Sequence, residues 1–418
     1  MTILRQQIFG KEVSVKLLFC SFLIIGSLVG RYASAATFYV GTNGDDSNSC
    51  TQAQDPATPK RNIIGGSGGL SCLGAGNADV LDIRSGSYSD RITSIVSGSS
   101  FENAATLRAH TGESVTITGG IALESTSYVI FEGFHITTSA LWVGSTFQDG
   151  SNSAHHIRFV NFDVGPVYDS HLLLVNQWGH HVEVLGGNWH DAPYGTAECN
   201  GSGTLACYAF YIVGQNNLIE HTKIYDNPSF GIHNYSGDAQ KPNQNVYRFN
   251  EIYNNGNNPV SSQSSAALLL ASGNGDQAYG NIVRDNYAAG IGTGPNATNA
   301  LIYNNTVYNN DRNNTGFGGI SWSTGSGTII KNNIVYQNDG NDFYDAAGAE
   351  TPEFANNHCT NSGPGCEQFG DPLFADVGNN NFTLLVGSPA RGAGTPNISG
   401  DISLGFVPDI GAMLDLQP

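Results

Sequence analysis

The chain is 418 residues long, enough for one large domain or two ordinary ones, and carries a net charge of −18 with only 12% charged residues. A surface of that sign repels nucleic acid and anionic lipid, while 18 Tyr and 20 Phe are too many for a disordered acidic protein. Its 53 glycines, with many Asn, Ser and Thr, suit turns and strands, and no long window holds the apolar period of a helix.

The first element in chain order is an export signal over residues 1–35. Basic residues lead into the apolar run "LLFCSFLIIGSLVG" (Leu17–Gly30), and "ASA" at Ala33–Ala35 is a small-x-small cleavage site. No later segment is apolar enough to cross a bilayer, so the expectation is a secreted protein, extracellular or periplasmic, with no membrane span once the signal is removed. Cys20 leaves with the signal. The remaining six cysteines fall as local pairs, Cys50 with Cys72, Cys199 with Cys207 and Cys359 with Cys366, and proximity in an exported chain reads them as three disulfides.

From residue 249 the chain repeats itself. "FNEIYNN" (Phe249–Asn255), "GNIVRDN" (Gly280–Asn286), "NNTVYNN" (Asn304–Asn310) and "NNIVYQN" (Asn332–Asn338) superimpose without gaps. One Asn column runs through Asn250, Asn281, Asn305 and Asn333, with Asn357 as a fifth member; a second runs through Asn255, Asn286, Asn310 and Asn338. Weaker copies lie upstream, among them "GFHITTS" (Gly133–Ser139) and "HTKIYDN" (His221–Asn227), and copies are 24 to 35 residues apart. Such a period, made of short Val/Ile/Tyr strands between turn residues, signals a stacked solenoid. Stacking puts equivalent residues one strand spacing apart, about 4.8 Å. An Asn amide can then donate to one neighbouring coil and accept from the other, and Asn tolerates left-handed backbone. In the frame Asn-x-Ile/Val-x, the Asn and the aliphatic residue share the inner side, so Lys223, Glu251 and Thr306 face out.

With these features the chain resembles secreted right-handed parallel β-helix proteins of the pectate-lyase-like superfamily. The start, Thr37–Ile92, looks like that group's opening strand, Asn-Gly-Asp turn and first rung. The end, "FGDPLFAD" through "PDIGA" (Phe369–Ala412), looks like a closing tail. The resemblance implies an all-β, single elongated domain. The expected organisation is an N-terminal cap with first coils over 36–120, regular coils over 121–358 and a closing segment over 359–418.

The superfamily implies a carbohydrate substrate, above all an acidic polysaccharide. β-Elimination from a uronate needs its carboxylate neutralised, a base for the C5 proton and an acid for the leaving oxygen. Aligning "AFYIV" (Ala209–Val213) with "GIHNY" (Gly231–Tyr235) makes Tyr211 and His233 outward neighbours, with Tyr235 on the same side. They are either a base and acid pair or a solvated stack. A second outward row, on the neighbouring sheet, holds Asp163, Asn188, Lys223 and Glu251, flanked by His190, Tyr225, Tyr253 and Arg284. Lys223, one of four lysines after the signal, is either a lyase base or half of a rung salt bridge to Glu251. The recurrent tyrosines Tyr225, Tyr253, Tyr308 and Tyr336 form either a sugar-stacking strip or a cover for the sheet. The insertion "HDAPYGTAEC" (His190–Cys199) would bring Asp191, Tyr194 and Glu198 to the same cleft.

His155-His156 and His180-His181 are offset by one coil. Alternation along a strand lets at most one of each pair face a common point, with His171 the nearest third ligand, so no metal site is assigned there. Calcium is the one cofactor the resemblance leaves open: in calcium-dependent β-helix lyases an acidic cluster stands where this chain has Asp226 but then Pro228, Ser229 and His233. The polygalacturonase motifs Asn-Thr-Asp, His-Gly and Arg-Ile-Lys and the epimerase Asp-Pro-His-Glu are absent. The reading is a monomeric polysaccharide-binding protein that cleaves a polyuronate by β-elimination. A non-catalytic surface or adhesion protein is the alternative, and a glycoside hydrolase comes third.

Overall fold

The computed structural model describes residues 35–145, 153–168, 171–193, 208–237, 241–257, 266–348 and 350–412. Contacts divide the chain into Met1–Ala33 and Ser34–Pro418; every described strand belongs to the second unit. The export signal, Tyr194, Glu198 and the Cys199–Cys207 pair lie outside the described residues.

Short strands pair in parallel into three ladders, and the coils of the middle of the stack contribute a strand to each. Ladder 1 runs from Thr37–Val40 through Ser127–Glu132 and Leu218–Glu220 to Glu353–Ala355. Ladder 2 runs from Gly86–Tyr88 through Lys223–Tyr225 and Glu251–Tyr253 to Gln368–Phe369. Ladder 3, nine strands, runs from Ile121–Leu123 through Phe210–Ile212 and Ile232–Asn234 to Phe343–Asp345. The long strands His155–Val167 and His180–His190 pass from ladder 1 into ladder 2 without a break. This is a parallel β-helix. Alternation holds within the rungs: Phe210 and Ile212 are fully buried while Tyr211 between them is not.

The interior between the ladders is a stack of apolar side chains. Phe131 lies on Phe159 with centroids 5.4 Å apart, and Trp189 lies against Phe210 at 4.6 Å. Such ring pairs add about 0.5–1.5 kcal/mol each beyond the area they bury.

The corners carry the Asn columns. Asn250 Nδ2 donates to Asn281 Oδ1 in the next coil (3.0 Å) and to the Ile219 carbonyl in the previous one (2.9 Å), while Asn250 Oδ1 accepts the Thr222 amide (3.0 Å). The pattern continues through Asn281, Asn305, Asn333 and Asn357, and the Asn357 amide donates to Glu367 at 3.0 Å. The second column extends from Asn227 to Asn338. A third, Asn217 to Asn245 to Asp276, marks the corner before ladder 1. The left-handed backbone, expected at the stacked Asn, falls one residue earlier, at Phe249, Gly280, Asn304, Asn332 and Asn356. The stacked amides themselves face inward and are buried.

Cys50–Cys72 and Cys359–Cys366 are disulfide-bonded. The C-terminal segment lies along the sides of the last coils. Ile398 packs on Leu301 and Tyr303 of ladder 1, and Ile410 and Ala390 pack on Ile334 of ladder 2. Among the described residues no helix is long and apolar enough to cross a membrane.

Candidate functional site

The Asn columns fix the register, and the register sets which outward residues meet. On ladder 2, His135 is level with Asp163, Asp163 with Asn188, Asn188 with Lys223, and Lys223 with Glu251. Two residues on, His190, Tyr225, Tyr253 and Arg284 form the next row. The structure thus brings together all the described candidates of the second row, and adds His135. "GFHITTS" had the signal for it, an outward residue at the same position one coil earlier.

Most charges in the row are already engaged. His190 meets Asp163 through Nε2 (3.3 Å) and Asp191 through Nδ1 (2.8 Å), and His135 Nε2 lies 3.6 Å from the other Asp163 oxygen. Gly165 makes this approach feasible: its φ is 137°, and a Cβ there would lie 2.0 Å from the His190 carbonyl oxygen. Arg284 holds Glu251 (2.7 Å) and Asp285 (2.8 Å), with its guanidinium 4.2 Å above the Tyr253 ring. The expected Lys223–Glu251 bridge is therefore replaced by an Arg284–Glu251 pair. The forked guanidinium reaches Glu251 with both Nε and an NH2 group, a fit a lysine cannot match. Lys223 is exposed and pairs with none of the described residues.

Beside the charged row lies an aromatic strip. His190 stacks on Tyr225 and Tyr225 on Tyr253, both at 5.0 Å. Burial, with Asp163, Asp226 and Asp191 nearby, raises the Tyr225 phenol above its ordinary range; burial and then Glu251 push Tyr253 to about 12. Both stay protonated near neutral pH. Farther along the column, Phe382 packs 5.4 Å from Tyr308 and Phe374 6.4 Å from Tyr336. The four tyrosines therefore divide: Tyr225 and Tyr253 face outward beside the row, and the tail covers the other two. A groove of about 760 Å³ follows the corner after ladder 2, lined by Pro166, Tyr168, Asp191, Pro193, Asp226 and Asn254 among others.

Tyr211, His233 and Tyr235 lie on ladder 3. Tyr211 and His233 are neighbours in register, but their rings stack at 5.4 Å, and Tyr235 stacks on His233 at 5.3 Å. Tyr208 and Phe230 close around the same imidazole. Burial drives His233 down to about 3, and its Nδ1 has no hydrogen-bond partner among the described residues.

Calcium would need convergent oxygen ligands. Among the described residues no three carboxylates come within reach of one ion; Asp226 and Asp191 line the groove without a third. The described residues do not form a calcium cage. The adjacent histidines depart from expectation. His156 and His181 have φ of 55° and 53°, which breaks the alternation and sets both rings of each pair side by side, Nδ1 to Nδ1 at 2.8 and 2.7 Å. His171, the supposed third ligand, instead stacks on Tyr208.

A family model described as a right handed beta helix region matches residues 208–382. Among solved structures the chain is similar to pectate lyase Pel9A, with 16% identity over 91% of this chain and 96% of that one and a TM-score of 0.66. It is also similar to a rhamnogalacturonan lyase, with 14% identity over 82% and 91% and a TM-score of 0.50. No curated protein sequence matches it significantly. The chain is a right-handed parallel β-helix.

Proposed function

We propose that this exported chain binds a uronate-containing polysaccharide along the outer face of ladder 2 and cleaves it by β-elimination. The observation that carries the reading is Lys223: an exposed amine without an ion-pair partner, in a row whose other charged groups are engaged. The likeness in fold to two polysaccharide lyases supports the class, and the two disulfides suit a non-reducing compartment. Lys223 Nζ, in its unprotonated amine form, takes the C5 proton, and the electron pair left on C5 forms the C4–C5 double bond. The C4–O bond breaks, and the Tyr225 phenol, on the same strand and the same side, gives its proton to the departing oxygen. Asn188, level with Lys223, donates to the uronate carboxylate. The outer edges of His190, Tyr225 and Tyr253 lie against the sugar rings. Stacked and with its Nδ1 enclosed, His233 serves the packing of ladder 3 in this scheme.

The test is ultraviolet absorbance of unsaturated uronate with pectate, alginate and glycosaminoglycans as substrates. Lys223→Ala should lower the rate about a hundred- to ten-thousand-fold while leaving binding within a few-fold. No absorbance rise on any polyuronate would remove the lyase reading. The stacking strip favours the second reading, a carbohydrate-binding protein without chemistry, which retained glycan binding would then select. Cleavage that survives in Lys223→Ala but not in His233→Ala would move the site to ladder 3.

A further inference from the structure

A second constellation lies apart from the charged row, at the start of the two long strands. His155 stacks on His180 (centroids 4.9 Å, rings within 8° of parallel) and His156 on His181 (4.5 Å, 10°). Across each rung the paired Nδ1 atoms are 2.8 and 2.7 Å apart. The result is a two-by-two block of imidazoles, in which one ring nitrogen each from His156, His180 and His181 lies within 4.8 Å of the other two. We propose that this block binds one divalent transition-metal ion of the zinc class, with His156, His180 and His181 as ligands.

Stacking alone accounts for the vertical contacts, not the horizontal ones. Two imidazole nitrogens at 2.7 Å are held together only if one carries a hydrogen, and a cation can replace that hydrogen. Ligands of a tetrahedral ion with bonds of about 2.0–2.1 Å stand about 3.3 Å apart. The close pair would therefore open by about half an ångström and the third nitrogen would close in, which small rotations of partly exposed rings allow.

The backbone shows how adjacent rings come to meet. In the coils that follow, the corner position of His156 and His181 is held by Asn216, Gln244, Gly275, Asn299 and Gly327, all at positive φ. Histidine is among the residues enriched in this conformation, and Tyr128 holds the same corner one coil earlier with φ 52°. In two successive coils the outcome is that adjacent imidazoles turn their Nδ1 atoms toward each other. Burial lowers the proton affinity of all four rings, and the neighbouring rings add to this at His155, His156 and His180. Glu183, held by Arg158, is the nearby anion. Imidazole sets of this kind select zinc, copper or nickel over calcium and magnesium.

The experiment is calorimetric titration of untagged, chelator-treated protein with zinc chloride. One equivalent should bind with Kd about micromolar or tighter, and excess calcium should not compete. His180→Gln and His181→Asn should each weaken binding at least tenfold. Asn is chosen because Asn216 occupies that corner one coil on with φ 57°, and far-ultraviolet circular dichroism checks the fold. Absence of saturable binding overturns the proposal, as does zinc affinity unchanged in the double variant, which would place the ion on surface carboxylates. If the variants do not fold, carbethoxylation of the wild type decides: zinc should protect these histidines, and equal modification with and without zinc counts against the site.

Discussion

Asn281→Ala is the substitution that probes the corner columns most directly. The Asn281 side chain makes four buried hydrogen bonds. Nδ2 donates to the Tyr247 carbonyl (2.9 Å) and to Asn305 Oδ1 (3.0 Å), and Oδ1 accepts the Asn250 amide and Asn250 Nδ2, both at 3.0 Å. Truncation does not orphan every partner. Asn250 Nδ2 keeps the Ile219 carbonyl and Asn305 Oδ1 keeps the Asn281 backbone amide. The Asn250 N–H is left facing a void, which costs about 1–3 kcal/mol, and the other three bonds are worth about 0.5–1.5 kcal/mol each. The expected loss is about 4 kcal/mol, a large share of the stability of an ordinary domain. Equilibrium urea unfolding followed by circular dichroism should show a much lower midpoint with an unchanged slope. Asn313→Ala, at an exposed turn, should stay within about 0.5 kcal/mol. If the two variants unfold at the same urea concentration, the amide columns are passengers and the corner argument fails.

Asp276 supplies a pH test. Burial raises its carboxyl to about 8, whereas an unfolded Asp titrates near its ordinary value of about 3.9. Between these values the native state holds a proton that the unfolded state has released, so stability falls by about 1.4 kcal/mol per pH unit as pH rises and levels off above about 8. Urea midpoints at about pH 5 and about pH 8 should differ in the wild type, and Asp276→Asn should remove most of that difference. Arg284→Ala should cost about 2 kcal/mol by leaving Glu251 without its charged partner, and it frees Glu251 to pair with Lys223, so the elimination rate should drop as well. Reduction of Cys50–Cys72 should destabilise more than reduction of Cys359–Cys366, by about 1 kcal/mol, because it releases a 22-residue rather than a 7-residue separation; selective Cys-to-Ser pairs compared by thermal unfolding would show it.

The solenoid was legible because its corners repeat one residue type. Once Asn250, Asn281, Asn305 and Asn333 are aligned, the outward row of Asp163, Asn188, Lys223 and Glu251 follows from period-two counting. The third column stayed hidden because it passes from Asn217 and Asn245 to Asp276 and then to Ala300, so self-alignment finds no shared letter. The histidine pairs were misread because counting by twos assumes extended backbone, and the left-handed turn at His156 and His181 reverses the next side chain. The Arg284–Glu251 pairing is a diagonal choice between rungs that sequence cannot rank. The covering of Tyr308 and Tyr336 depends on a tail more than thirty residues away. In both cases register is encoded locally while partner choice is settled by the assembled fold.

The corner columns also have a direction. In the column from Asn250 to Asn333 each amide turns its oxygen toward the N-terminal coil and one of its two N–H groups toward the C-terminal one, so their small dipoles partly add along the stack. The side-chain series ends at the buried Asn357, and there Glu367 presents a carboxylate to the Asn357 backbone N–H. A negative group at that terminus gives the β-helix an electrostatic ending, and the opposite end, where the column begins at Thr222, needs only a hydroxyl.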